Sequence, residues 1–454
     1  MDLHELTVSE AGKRIRKREI SPVELTRALL AHIATVDASI QAWETVDEAG
    51  ALAAARRREA ELGSGGFVPG LLHGIPFGIK DIYHTAGLRT TAGFPVYADF
   101  VPSADAASVS RLRQAGGIIL GKTVTTQFAF IDPARTRNPW RLDRTPGGSS
   151  SGSGAAVAAR MVPGALGTQT AGSLLRPAAF CGVVGFKPSY GRISLTGVFP
   201  LSWSLDHAGF IVRTVEDAAL LLQALAGLGE HAGTVTSSVD AFWPIAAMRD
   251  QLPKLILLLD FLDRATPEVR DHVVRVANTF RNAGALVEER SLPWDLAVAL
   301  AVHRIIMEVE MAAVHAQTLA NHLDAYAPLL RSYVRVGQLV PGHAYIKAQR
   351  LRRRLRAATE TMMGNGNVLL LPTVSSVAPT LETTGDSSFQ SPWSLLGLPS
   401  ISLPSGRDSD GLPFAIQLVA PFQSDRRLLE VARWCEARLE PLPSPLSDQG
   451  DSSR

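Results

Sequence analysis

The sequence predicts an α/β fold with a largely buried sheet, and two stretches carry that expectation. Residues 71–87, LLHGIPFGIKDIYHTAG, are apolar and glycine-punctuated like a buried strand. Residues 104–115 then read as a helix that Gly116 and Gly117 stop before a strand at 118–120. The same rhythm returns at 254–259, a strand followed by a helix that Thr266, Pro267 and Glu268 open. Val269, Val273, Val276 and Phe280 fall on one face of that helix, Gly284 ends it, and 285–288 reads as a returning strand. Such β-helix-β units bury a sheet on both faces.

The remaining elements follow in order. Thr7 with Glu10, and Ser21 with Pro22 and Glu24, place a hydroxyl three residues before a carboxylate, so two helices begin there and residues 1–65 are expected to be helical. Residues 295–365 carry a helical pattern, and the runs NVLLLP, ISLPSG and FAIQLVA then return as strands. The end, 441–454, PLPSPLSDQGDSSR, has the composition of a disordered tail. No internal repeat is evident.

With 454 residues the chain is long enough for about three domains, and a single large α/β unit is equally compatible. At 46% hydrophobic and 19% charged it is neither disordered nor fibrous. The formal net charge of +2 carries no imbalance that would draw nucleic acid or an anionic membrane, so a small-molecule partner is expected. The two cysteines, Cys181 and Cys435, form neither a disulfide framework nor a metal-ligand spacing, and neither metal nor cofactor is expected. The charged, amphipathic start lacks the apolar core of a signal peptide and no uncharged apolar stretch reaches membrane-spanning length, which points to a cytoplasmic protein. Five arginines between Arg350 and Arg356 could suggest a phosphate site, but Leu351 and Leu355 make the segment amphipathic and its arginines a solvated face.

Three motifs could carry chemistry. Gly116, Gly121, Lys122 and Thr123 match a phosphate-binding loop letter for letter, yet the interval Gly-Ile-Ile-Leu is itself a strand and no helix follows. Gly148, Ser150 and Gly152 match a nucleophile elbow, with His207 or His315 as a possible base for an esterase. The elbow needs an apolar strand upstream, and RLDRTP is polar and ends in proline. The third signal spans 145–193, where two Gly/Ser clusters, around Ser149 and Ser173, flank a small-residue helix from about 154 to 160. A flexible linker has this composition too, but here it lies among Ala, Val and Cys, a context for burial, and buried backbone must be hydrogen-bonded. Packed hydroxyls and bare N–H groups suit acyl transfer.

From SPVELTRALLAHI through GIPFGIKDI, the GGSS block and GTQTAGS to LLGLPSISLP and GLPFAIQLVA, the chain resembles the amidase signature hydrolases over nearly its whole length. The resemblance implies one large domain over 1–440, a central twisted mixed β-sheet covered by helices on both faces. Within it, 1–65 would form N-terminal helices, 66–230 the catalytic core, 231–365 a helical substrate-pocket region, and 366–440 the returning strands and helix. It further implies Ser173 as nucleophile, Ser149 in a cis peptide as the bridging serine and Lys80 as base, with the backbone N–H groups of Thr170, Ala171, Gly172 and Ser173 as the oxyanion hole. Lys80 can serve only if burial lowers its pKa from about 10.4. Ile75, Phe77 and Ile79 favour this, and Asp81 would oppose it if it pointed the same way.

Four positions depart from the common family pattern: Gln169 stands for an acid, Ala171 for a glycine, Arg176 comes one place late, and Gln127 replaces a glutamate. The function implied is a stand-alone serine hydrolase of small neutral amides, carboxamides or anilides, with carbamates and esters accessible to the same chemistry, acting as a monomer or homodimer. The alternative is the glutamine-hydrolysing component of a tRNA-dependent amidotransferase. The YDGVRYG-like stretch of such components is missing between 230 and 365. Of three large apolar residues nearby, Met307, Met311 and Trp393, all are expected in the core.

Overall fold

The structure, a computed structural model, describes residues 2–64, 66–227, 241–246, 248, 252–364 and 366–446. The described residues form one mixed sheet of eleven strands: β1 (Trp43–Val46), β2 (Pro76–Lys80), β3 (Ile118–Thr123), β4 (Gly164–Gln169), β5 (Val184–Lys187), β6 (His207–Val212), β7 (Lys254–Leu258), β8 (Leu286–Arg290), β9 (Val368–Pro372), β10 (Ser400–Arg407) and β11 (Pro413–Val419). Their order is β1-β3-β2-β4-β6-β5-β10-β11-β9-β7-β8. β2 runs parallel to both β3 and β4, β7 runs parallel to β8 and β9, and the strands between are antiparallel.

Both faces of this sheet are covered by helices, and the apolar runs show why. In β7, Leu255 and Leu257 join one core cluster while Ile256 and Leu258 join a second; in β9, Val368 and Leu370 face the first and Leu369 and Leu371 the second. Alternation sends neighbouring side chains to opposite faces, so a continuous apolar run requires cover on both sides. Helix Pro267–Asn282 supplies it on one face with Val269, Val273, Val276 and Phe280. Helices Leu296–Asn321 and Gly342–Met363 supply it on the other with Ala299, Val302, Ile306, Leu355 and Met363.

The expected caps are present. Thr7 and Ser21 each accept from the N–H three residues on, and Glu10 and Glu24 bond back to the cap N–H groups. The N-terminal region is not all helix, however. Between helices Pro22–Ile40 and Glu48–Gly63 the chain lays down the edge strand β1 against β3. Strand β3 extends through Gly121, Lys122 and Thr123, so these three phosphate-loop letters sit inside a fully buried strand and only Gly116 lies in the turn before it. The small-residue helix runs Ser151–Ala158, earlier than expected. Leu446 packs against the core, and the rest of the expected tail, 447–454, lies outside the described residues.

Candidate active site

β2 and β4 are parallel neighbours, and the ends of parallel strands are where α/β sheets place their ligand sites. Lys80 is the last residue of β2; Thr168 and Gln169 end β4. Buried completely, Lys80 donates from Nζ to Ser149 Oγ at 2.7 Å and to Thr168 Oγ1 at 2.8 Å. Burial drives its pKa well below that of a free lysine, against the smaller opposing pull of the Asp206 charge. Asp81 points elsewhere: its carboxylate takes Thr91 N–H at 2.9 Å and lies 3.2 Å from Lys122 Nζ.

The segment around Ser149 is not a linker. Residues 145–153 are buried, the Gly148–Ser149 peptide is cis, and a Cβ on Gly152 would stand 2.2 Å from the Ala42 carbonyl oxygen. Arg176, fully buried, holds this turn from below by donating to the carbonyls of Gly148, at 2.6 Å, and Gly385. Its delayed position in sequence therefore still brings a guanidinium onto the Ser149 peptide.

Ser173 lies between β4 and helix Leu175–Phe180, and its carbonyl accepts from Ser150 N at 3.1 Å. Within the described residues no hydrogen bond joins Ser149 Oγ to Ser173 Oγ. The backbone N–H groups of Thr170, Ala171, Gly172 and Ser173 donate to nothing among the described residues, although the loop is well anchored. Gln169 does the anchoring: its Oε1 accepts from Leu174 N at 3.1 Å and Leu175 N at 3.0 Å, and its Nε2 donates to Ser394 Oγ at 3.1 Å. Ser394 Oγ in turn donates to the Ala171 carbonyl at 2.9 Å. A neutral amide thus closes the loop from both sides, a pairing that an ionised acid, which only accepts, could not make. Gln127 uses the same dual capacity, donating to the Ala325 carbonyl at 2.9 Å and accepting from Ala327 N at 2.7 Å.

Asp206, which sequence reasoning missed, completes the surroundings. Its carboxylate accepts from Thr170 Oγ1 at 2.5 Å, Leu201 N at 2.8 Å and Ser202 N at 3.0 Å. Burial pushes its pKa up to about 6, offset in part by these three donors. It is remote from Thr170 in sequence, and the β4–β6 pairing, Gln169 opposite His207, brings the two together.

Two cavities meet at Ala129, Thr170 and Leu201. The smaller, about 230 Å³, reaches Ser173 and Ala171 and is walled by Leu300, His303, Met307 and Tyr333. Half-buried Met307 packs against both core clusters and also lines this cavity, whereas Met311 and Trp393 are fully buried in the core. The larger, about 620 Å³, holds Thr168 and Asp206 at one end and the segment 190–203 along its wall.

The competing motifs find no chemistry here. Lys122 is spent on Asp81, the Tyr83 carbonyl and Thr90. Ser150 Oγ pairs with the Thr168 backbone rather than with a histidine. His207 bonds the Leu205 carbonyl, and His315 contacts the Tyr326 hydroxyl. Of the arginine run, Arg352 is half-buried and donates to the Ser204 carbonyl and hydroxyl. No helix among the described residues is long and apolar enough to cross a membrane.

Comparison with known proteins bears on the chain as a whole. The chain is 33% identical to the A-type subunit of the glutamyl-tRNA(Gln) amidotransferase from Halothermothrix orenii, over 97% of this chain and 98% of that one. It superposes at TM-score 0.85 on the native peptide amidase of Stenotrophomonas maltophilia, 30% identical, covering 97% and 98% of the two chains. A structure from an inhibitor-bound complex reported for the evolutionary origins of an s-triazine catabolic enzyme gives TM-score 0.90 at 28% identity, covering 96% and 100%. The pattern of the Amidase family matches residues 24–429, and the chain belongs to that family.

Proposed function

We propose that the chain hydrolyses carbon–nitrogen bonds of amides through an acyl-enzyme on Ser173. Neutral Lys80 accepts a proton from Ser149, which takes the proton of Ser173 as Ser173 Oγ attacks the carbonyl carbon. The tetrahedral intermediate collapses, the C–N bond breaks, and the departing nitrogen recovers the proton along the same path. Water then repeats the cycle and frees the acid and Ser173. The N–H groups of residues 170–173 receive the negative oxygen, where one lost donor typically costs about 100-fold or more. The observation that carries this reading is the buried Lys80 Nζ, whose two hydrogen-bond partners are hydroxyls and which has no carboxylate within ion-pair distance among the described residues. Such a lysine is held neutral and ready as a base.

Two substrate readings follow. Likeness in sequence favours glutamine: the curated relative named above, matched end to end, belongs to a glutamyl-tRNA(Gln) amidotransferase, and by this measure that reading is the better supported. A stand-alone hydrolase of small neutral amides, with carbamates and esters in reach of the same chemistry, is favoured by the larger cavity, which exceeds what a primary amide and its ammonia require. Purified protein alone, assayed on glutamine, primary and substituted amides, carbamates and esters, separates them. Turnover of glutamine alone supports the amidotransferase reading. Turnover of other amides without any partner supports the hydrolase. Turnover unaffected by Ser173→Ala contradicts both.

A further inference from the structure

We propose that the larger cavity receives the amine half of the substrate, so that the chain cleaves N-substituted amides whose amine bears a neutral, apolar group of about ring size; this rests on the acyl-transfer reading above. The two cavities divide the site. The smaller contains Ser173 and Ala171, the attacking side and the oxyanion loop. The larger contains Thr168, which accepts directly from Lys80 Nζ. Since the leaving nitrogen regains its proton from the Lys80–Ser149 end of the relay, it departs on the side where the larger cavity lies.

The walls set the chemical class. Ile193, Val198, Phe199, Leu201 and Val314 are apolar, and Trp203, 47% exposed, stands at the rim. Among the described residues of the wall the one carboxylate is Asp206, which already accepts three hydrogen bonds and has about one lone-pair site left for a cationic amine. At about 620 Å³ the space is that of a small-molecule site, about 300–1,000 Å³, whereas released ammonia, close to a water in size, needs about 30 Å³. The wall is also preformed. Glu310 accepts from Ser202 Oγ at 2.7 Å, Ser204 N at 3.0 Å, Ser204 Oγ at 2.6 Å and Tyr345 hydroxyl at 2.8 Å, pinning the segment that carries Leu201 and Trp203. A site held this way gains specificity without first ordering a loop.

The test compares two substrate series with the purified full chain: acetamide, N-butylacetamide and N-benzylacetamide, which vary the amine, and acetamide, hexanamide and phenylacetamide, which vary the acid. We expect kcat/KM to rise about tenfold or more along the first series and to change little along the second. Val198→Trp and, independently, Val314→Phe narrow the cavity and should each lower the N-benzylacetamide to acetamide ratio by about tenfold or more. A preference that follows the acid instead, a preference for glutamine, or an unchanged ratio in both variants when folded, overturns the cavity assignment while leaving acyl transfer standing. Hydrolysis of no amide, together with unaltered fluorophosphonate labelling in Ser173→Ala, removes the acyl-transfer reading and this proposal with it. If neither variant folds, the two wild-type series decide.

Discussion

Replacing Gln169 by leucine isolates the anchoring of the oxyanion loop from the reacting groups themselves. Gln169→Leu removes the acceptor of Leu174 N and Leu175 N and the donor to Ser394 Oγ, all in a fully buried setting. Each buried backbone N–H left without an acceptor costs about 1–3 kcal/mol, so stability should fall by about 2–6 kcal/mol. That is a large share of the about 5–15 kcal/mol typical of a folded domain. Released from Gln169, the N–H groups of residues 170–173 lose their fixed aim; if one donor is lost to the transition state, kcat should fall by about 100-fold or more, with KM much less affected. Gln169→Glu keeps an acceptor for both N–H groups and loses only the donor to Ser394, so it should retain more activity and stability than Gln169→Leu. Thermal unfolding and steady-state kinetics on any turned-over amide measure both effects. A Gln169→Leu enzyme with near-normal kcat and unchanged unfolding temperature would refute the reasoning.

Lys80→Ala should cost several orders of magnitude in turnover, and replacing His73, His84 or His207 far less, as kinetics on folded variants will show. Wild-type activity should rise with pH through the depressed pKa of Lys80, because the ammonium cannot accept a proton; a profile that falls over this range contradicts the assignment. Stability carries the same sign: the unfolded chain binds the proton that buried Lys80 excludes, so folding is disfavoured below about pH 10.4 and the deficit is complete below the folded pKa. Lys80→Met should remove that dependence in pH-resolved denaturant melts. Lys122→Ala should destabilise by about 3–5 kcal/mol by orphaning buried Asp81, without abolishing any saturable ATP binding, since none is expected.

Much of this architecture was legible because local and tertiary signals agreed. The Thr7/Glu10 and Ser21/Glu24 boxes, the alternating cores of β7 and β9, and the helix carrying Val269 to Phe280 each state their structure within a short window. Strand β1 was not legible: four residues with two polar side chains at a sheet edge carry too little pattern. β4, Gly-Ala-Leu-Gly-Thr-Gln, carries little strand pattern because two of its six residues are glycines, yet every residue in it is buried between β2 and β6. Lys80, Ser149 and Ser173 are expected as site residues from the resemblance alone; in the structure Lys80 and Ser149 are hydrogen-bonded to each other, and Ser173 sits on the adjoining loop. Asp206 and the partners of Gln127 and Gln169 were out of reach, since each depends on a contact between distant segments. The arginine run does form a solvated face at Arg350, Arg353 and Arg354, and half-buried Arg352 is the exception because it finds Ser204 across the fold, a contact that helical periodicity cannot anticipate.

The most direct test of the central claim is to treat the protein with a fluorophosphonate and map the adduct by peptide mass spectrometry, in the wild type and in Ser173→Ala, Ser149→Ala and Lys80→Ala. The account predicts one adduct, on Ser173, absent in Ser173→Ala and formed far more slowly when Ser149 or Lys80 is replaced. An adduct on Ser150, or labelling of Ser173 at the wild-type rate in Lys80→Ala, would contradict it.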